Sequence, residues 1–209
     1  HPIMMLAAQK FYMMRHGETE ANVKGFVAGS LDTALTQNGR NQALGTLRYL
    51  HKLTPRPTSI FHSSLSRSRE TAEIINSAWS LPLKEQPNLA EQCFGDWQGC
   101  LSWEEANIRM ASGEQPPNGE TRSAFRSRVI FCIFDIISQL PDTALIISHG
   151  GVFDAFMEHY DCKSFDVKNC HLYEFICSSH SGIMPWNIRH HTIDENGLYY
   201  QAEVETLSF

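Results

Sequence analysis

At 209 residues the chain is long enough to bury one sizeable core, and its net charge of −6 argues against a general nucleic-acid or anionic-membrane surface. Hydrophobic residues make up 42% and charged residues 19%, a balance that excludes a disordered chain. No apolar run reaches the length of a membrane span, and six cysteines are too sparse for a disulfide scaffold. Reduced thiols in a cytoplasmic protein are expected.

Residues 1–8 lack the cationic and apolar regions of a signal peptide. Residues 1–9 are expected to be a flexible or tag-derived leader, with Met4 or Met5 as the natural start. Lys10-Phe11-Tyr12-Met13-Met14 reads as a buried strand and runs into Arg15-His16-Gly17-Glu18-Thr19. Thr36–Leu53 reads as a helix with an apolar stripe at Leu44, Leu47 and Leu50. Ser59-Ile60-Phe61-His62 is a second strand, followed by Ser63-Ser64-Leu65-Ser66-Arg67 and a helix over Ser68–Asn76. Ser102-Trp103-Glu104-Glu105 looks like a capping box opening a short helix. Gly113–Gly119 is a loop, within a segment at about 100–120 expected to serve as a lid or specificity element. Thr121–Leu140 places Phe125, Val129, Ile133, Ile136 and Leu140 on one helical face.

A third strand, Ala144-Leu145-Ile146-Ile147, leads to Ser148-His149-Gly150-Gly151 and a helix over Val152–Tyr160. Ile183–Ile193 and Leu198–Leu207 flank Asn196-Gly197, the signature of a hairpin at a sheet edge. Strands alternating with helices predict an α/β fold. The expected form is a three-layer sandwich in one domain over 1–209, with a mostly parallel central sheet, helices on both faces and a C-terminal antiparallel hairpin at the edge. Ligands of such sheets bind outside the carboxyl ends of the strands, so the three polar clusters should face one crevice.

Arg15, His16, Arg67 and His149 would then bring two imidazoles and two guanidiniums together. A neutral imidazole is a nucleophile, and guanidinium clamps phosphate oxygens. Phosphoryl transfer depends chiefly on such positioning and electrostatics, and these residues ask for no metal and no cofactor. Neighbouring positive charge also keeps His16 neutral. A leaving alkoxide needs a proton, and Glu91, Glu18 and Asp96 are the candidate acids, which spacing alone does not separate.

These blocks resemble the histidine phosphatase superfamily, the phosphoglycerate mutase-like proteins, over nearly the whole chain. Arg15-His16-Gly17-Glu18-Thr19 with Asn22 is similar to the family signature; Leu35-Thr36 with Gly39, Gln42 and Ala43 is similar to its next block. Ser63–Ser68 with Thr71 and Ala72, Glu91 with Gly95, Trp97 and Gly99, and Ser148–Gly151 resemble the remaining three. The resemblance implies His16 as the phosphorylated nucleophile and Glu91 as general acid. It implies Arg15, Arg67 and His149 as the phosphate pocket, with support from Asn22 and the Gly150 block.

Members with aspartate after the second histidine use that aspartate as acid; Gly150 stands there in this chain and favours Glu91. Only 58 positions separate Glu91 from His149, which looks like the compact phosphatases rather than the mutases with their long insertion. Pro117–Thr121 with Phe125, Arg128 and Val129 is similar to a segment of alpha-ribazole phosphatase-like members, whereas Trp186–His191 departs from the usual ending. The expected function is hydrolysis of a small phosphomonoester through a phosphohistidine, with neither nucleic acid nor membrane as partner. A cofactor-dependent phosphoglycerate mutase and a non-catalytic phospho-ligand-binding module are the alternatives.

Cys162, Cys170, His171, Cys177 and His180 match no strong zinc spacing, and His171, Tyr173, Phe175 and Cys177 alternate as a strand face would. Ser63 and Ser64 read as turn and phosphate-rim residues, without the G-x-S-x-G setting of a nucleophile. Only Arg109 and Arg122 stand in the variable middle as further cations for a highly anionic substrate.

Overall fold

The computed structural model describes residues 9–139, 141–178 and 184–209. Seven strands form one mixed sheet: β1 (Phe11–Arg15), β2 (Ser59–His62), β3 (Leu83–Glu85), β4 (Ala144–Ser148), β5 (Leu172–Cys177), β6 (Trp186–Ile193) and β7 (Tyr199–Val204). Their order is β3-β2-β4-β1-β5-β6-β7. The first four in that order run parallel, while β5, β6 and β7 continue the sheet antiparallel from β1. The expected α/β sandwich with its parallel core and antiparallel edge is the fold adopted. Leu83-Lys84-Glu85 is too short and too polar to announce β3, which its parallel pairing with β2 supports.

The described residues form six helices, α1 (Glu20–Lys24), α2 (Gln37–Thr46), α3 (Ser66–Asn76), α4 (Trp103–Ala111), α5 (Arg122–Ile137) and α6 (Gly150–His159), of which α2, α3, α5 and α6 pack on the sheet. Phe11, Met13, Phe61 and Ile146 pack with the buried residues of α5 and α6. Tyr12, Met14, Ile60, Leu145 and Ile147 pack on the opposite face with Ala43 of α2 and Ala72 and Ile75 of α3. Covering both faces explains why β1 and β4 read as continuous apolar runs rather than alternating ones.

The helix expected over Thr36–Leu53 is shorter. Thr36 caps α2 by accepting from the Gly39 N–H at 2.9 Å, and α2 ends at Thr46, with a 3-10 turn following at Leu50–Lys52. Its buried face is Gly39, Ala43 and Thr46, so Leu44 is 50% exposed. Close approach decides this: a Cβ on Gly39 would lie 2.2 Å from the Glu18 carbonyl oxygen. Only small residues allow α2 to meet the loop after β1.

Thr121 caps α5, whose Phe125, Val129, Ile133 and Ile136 are buried as expected, while Leu140 lies outside the described residues. Ser102 caps α4 through the Glu105 N–H at 3.1 Å, one arm of the expected box. A complete capping box joins Thr19 and Asn22 at α1. The expected terminal hairpin forms with Gly197 at φ +77° in its turn, although Ile183 and residues 1–8 lie outside the described residues.

Phe156 centres an aromatic cluster, with ring centroids 5.8 Å from Phe11 and 5.4 Å from Phe175, Trp186 and Tyr160. Phe156→Ala should lower unfolding stability by about 3–5 kcal/mol, the usual loss for a buried aromatic, as read from urea denaturation.

Candidate active site

Strand register assembles the site. In the parallel β1–β4 pair Arg15 stands opposite Ser148, so the next residues, His16 and His149, emerge side by side. The His16 N–H donates to the Ser148 carbonyl at 3.0 Å, and the imidazole centroids are 5.1 Å apart. β2 flanks β4 on its other side with His62 opposite Ile147, which brings Ser63 beneath His149 and Arg67 into the first turn of α3.

His16 is buried and its Nδ1 lies 2.7 Å from the Gly17 carbonyl. A carbonyl only accepts, so Nδ1 carries the hydrogen and Nε2 keeps its lone pair. Burial, then the charges of Arg67 and Arg15, hold this imidazole well below the usual histidine range. His149 is fully buried and is lowered in the same way by burial and Arg67. Its Nε2 is 2.8 Å from Ser63 Oγ, which itself accepts from the Leu65 N–H at 3.3 Å. When the Ser63 hydroxyl donates to Nε2 the ring hydrogen sits on Nδ1, a buried atom with no hydrogen-bond partner among the described residues.

The guanidiniums are aimed by backbone carbonyls. Arg67 donates to Leu31 and Gly29 carbonyls at 2.6 and 2.7 Å, and Arg15 donates to the Val167 carbonyl at 2.7 Å. Burial lowers both, Arg67 to about 10. Arg15 Nε is buried and unpartnered, like His149 Nδ1. Gly150 opens α6 beside it: a Cβ there would be 3.6 Å from Arg15 Nε.

Glu91 is fixed from two sides. One carboxylate oxygen accepts from the Gln92 N–H at 2.9 Å and the other from the Gly151 N–H at 3.0 Å. A Cβ on Gly151 would lie 2.1 Å from Glu91 Oε1, so only glycine admits the carboxylate. The three candidate acids separate here. Glu91 lines a cavity of about 1020 Å³ together with Arg15, His16, Asn22, Arg67 and Gly150. Glu18 instead accepts from Thr36 Oγ1 at 2.8 Å, Asp96 is engaged by the Asn118 amide, and neither lines the cavity.

Of the supporting residues, Asn169 and Asp154 carry no sequence signal of their own, whereas Asn22, Thr71 and Arg128 stand in the blocks quoted above. Asn169 Nδ2 donates to the His16 carbonyl at 2.9 Å and approaches Asn22 Oδ1 at 3.3 Å. Asn22 Oδ1 also accepts from Thr19 N–H. The Gly17 N–H donates to Thr71 Oγ1 at 3.0 Å. Arg128 donates to the Ala90 and Glu91 carbonyls at 2.8 and 3.0 Å and pairs with Glu120, clamping the Glu91 segment. Asp154, one turn into α6, also lines the cavity; burial, then Glu91, raises its carboxyl to about 6. Residues 113–116 border the cavity, whereas Arg109 stacks over Trp97 outside it. Among the described residues no cluster of three or more His, Cys, Asp or Glu has metal-site geometry, and His180 lies outside them.

Residues 11–187 match the histidine phosphatase superfamily, branch 1. This chain belongs to that superfamily. It is 36% identical over 154 residues to an adenosylcobalamin/alpha-ribazole phosphatase of Salmonella typhimurium, covering 68% of this chain and 75% of that protein. It is 28% identical over 167 residues to a glucosyl-3-phosphoglycerate phosphatase of Mycobacterium tuberculosis, covering 72% and 74%. Among solved structures, a putative alpha-ribazole-5'-P phosphatase from Escherichia coli superposes with a TM-score of 0.70 at 27% identity, covering 82% and 92%.

The buried histidines set a pH dependence. His16 and His149 are neutral when folded and take up protons more readily when unfolded, so stability is present above about pH 6.5 and falls as pH drops below it. Each contributes a slope of about 1.4 kcal/mol per pH unit. Asp154 opposes them: its raised carboxyl binds a proton in the folded state first, restoring about one such slope below about pH 6. Denaturation midpoints measured from pH 7 downward should fall, and fall less steeply once Asp154 is protonated.

Proposed function

We propose that this phosphatase hydrolyses a small phosphomonoester through a phosphohistidine on His16. The carrying observation is the adjacency of a neutral, oriented His16 to two carbonyl-aimed arginines and a carboxylate on one cavity. His16 Nε2 attacks phosphorus in line as the ester P–O bond breaks. Arg15, Arg67, Asn22, the His149 Nδ1–H and the Gly150 N–H hold the equatorial oxygens, and α6 adds its N-terminal dipole. Protonated Glu91 gives its proton to the departing alkoxide. Its carboxylate then takes a proton from water attacking the phosphohistidine, releasing phosphate and restoring His16.

The partner in this reading is a small molecule rather than nucleic acid or membrane, which the net charge of −6 supports. Among the described residues no helix is long and apolar enough to cross a membrane. Cysteines this sparse, with the Cys132, Cys162 and Cys170 thiols buried, suit the reducing cytoplasm we infer for it. Residues 100–120 serve in this reading as the specificity segment, since Trp103, Met110 and residues 113–116 border the cavity.

Two measurements test the roles. Rapid quenching should trap an acid-labile phosphate on the wild-type protein and none on His16→Ala; substantial turnover by folded His16→Ala would sink the mechanism. Glu91→Gln should slow alkyl phosphate hydrolysis by roughly two to four orders of magnitude, the usual share of general acid catalysis. Phosphorylation by p-nitrophenyl phosphate should suffer much less, because its leaving group hardly needs the proton. Equal losses in that step would make Glu91 a positioning residue.

A further inference from the structure

Beyond the phosphate end, the charge of the cavity reverses. Arg15 and Arg67 are its floor. Glu91 stands beside them, and the remaining charged residues along the walls are Arg122, Glu114, Asp154, Glu158 and Asp166. Arg122 is already spent: it donates to both Glu158 oxygens, at 2.6 and 3.2 Å, and to Gln92 Oε1 at 3.2 Å. That pair cancels. Asp154, Asp166 and Glu114 form no salt bridge among the described residues, and Trp103, Phe94 and Phe165 share the same walls.

Asp154 is the inner member of this group. It lies one helical turn beyond Gly150, roughly 6 Å along α6 from the phosphate end at the usual rise per residue. It makes no hydrogen bond among the described residues, although Arg122, Glu158, Glu91 and Arg15 all act on it electrostatically. Neither arginine is available to it as a partner. Arg122 is held by Glu158, and Arg15 is tied to the Val167 carbonyl with its free Nε at the phosphate end. A partly buried carboxylate without a partner is costly, and a cation delivered by the ligand would relieve it. A leaving group bearing a carboxylate would instead meet three acids without a salt bridge and, among the described lining residues, no unpaired cation beyond the floor.

We infer that the alcohol half of the substrate carries an ammonium group, joined by a short spacer to the ester oxygen and seated against Asp154 and the aromatic wall. This rests on the phosphomonoesterase reading above. Phosphate goes to the arginine floor, the ammonium takes its place beside Asp154, and the aromatic side chains of Trp103 and Phe165 on the same walls are there to contact its methyl or methylene groups. Specificity then comes from attraction at Asp154 and from repulsion of anionic leaving groups.

The test compares kcat/KM for esters alike in shape but different in charge: choline phosphate against 3,3-dimethylbutyl phosphate, and ethanolamine phosphate against propyl phosphate, with 3-phosphoglycerate as the anionic case. In the wild-type protein at neutral pH at least one cationic ester should exceed its neutral counterpart by roughly tenfold or more, the effect of one well-placed charge. The anionic ester should be the poorest. Asp154→Asn should bring the cationic-to-neutral ratio toward one, an effect mere loosening of the pocket would not produce. Hydrolysis of the neutral esters with no cationic preference would overturn the inference and leave the phosphatase reading standing. A cationic preference unchanged in folded Asp154→Asn would remove Asp154 from it. No hydrolysis of any ester, with no trapped phosphohistidine, would overturn both.

Discussion

The parallel pairing of β1 with β4 is the constraint on which the rest of the site depends. Because Arg15 and Ser148 share a register position, the chain leaves two adjacent strands at the same height, and both departing residues are histidines. Two imidazoles 5.1 Å apart would ordinarily be expensive to hold in place. Here the cost falls on the sheet, whose backbone hydrogen bonds and covered faces are needed for folding anyway. Sliding β1 by one residue would send His16 to the wrong height and turn its apolar neighbours to the wrong faces. The fold and the geometry of the candidate site are therefore protected by the same register.

That register also places cations where water is scarce. Arg15 and Arg67 are lowered chiefly by burial, and the same two charges help keep His16 and His149 neutral. Backbone carbonyls of Gly29, Leu31 and Val167 satisfy the guanidiniums without neutralising them. A carboxylate in those positions would have cancelled the charge a phosphate must find. The orphaned Arg15 Nε and His149 Nδ1 have the same meaning: polar atoms left unpaired in a buried place are costly unless a ligand completes them.

Much of this arrangement was legible in the sequence because it is local. Short strand-like runs followed by Arg-His-Gly, by Ser-Ser-Leu-Ser-Arg or by Ser-His-Gly-Gly announce a strand, a polar tip and a helix within about ten residues. What escaped is long-range or rests on small residues. Asn169 reaches His16 across 153 positions, with no periodicity to mark it. The choice of Glu91 over Glu18 and Asp96 turns on the Gly151 N–H, 60 positions away. Helix α2 stops at Thr46: Leu47 and Leu50 do pack in the core but lie beyond its end, Leu44 is exposed, and the contact face of the helix itself is built from Gly39, Ala43 and Thr46. Glycine packing leaves almost no hydrophobic signature.

The division between legible and hidden follows the division of labour in the cavity. Its floor belongs to strand ends, where position is dictated by the sheet; relatives named for alpha-ribazole and for glucosyl-3-phosphoglycerate share this fold family. Its walls come from α4, the loop at 113–116, the segment at 164–167 and the first turns of α6. Connections of this kind tolerate change because little of the core depends on them. Asp154 is the exception. It sits between the buried Phe153 and Ala155 on a helix whose first turn positions Glu91. Its backbone is thus fixed by the same helix as the arginine end of the cavity, while its carboxylate, without a hydrogen bond among the described residues, borders the variable end.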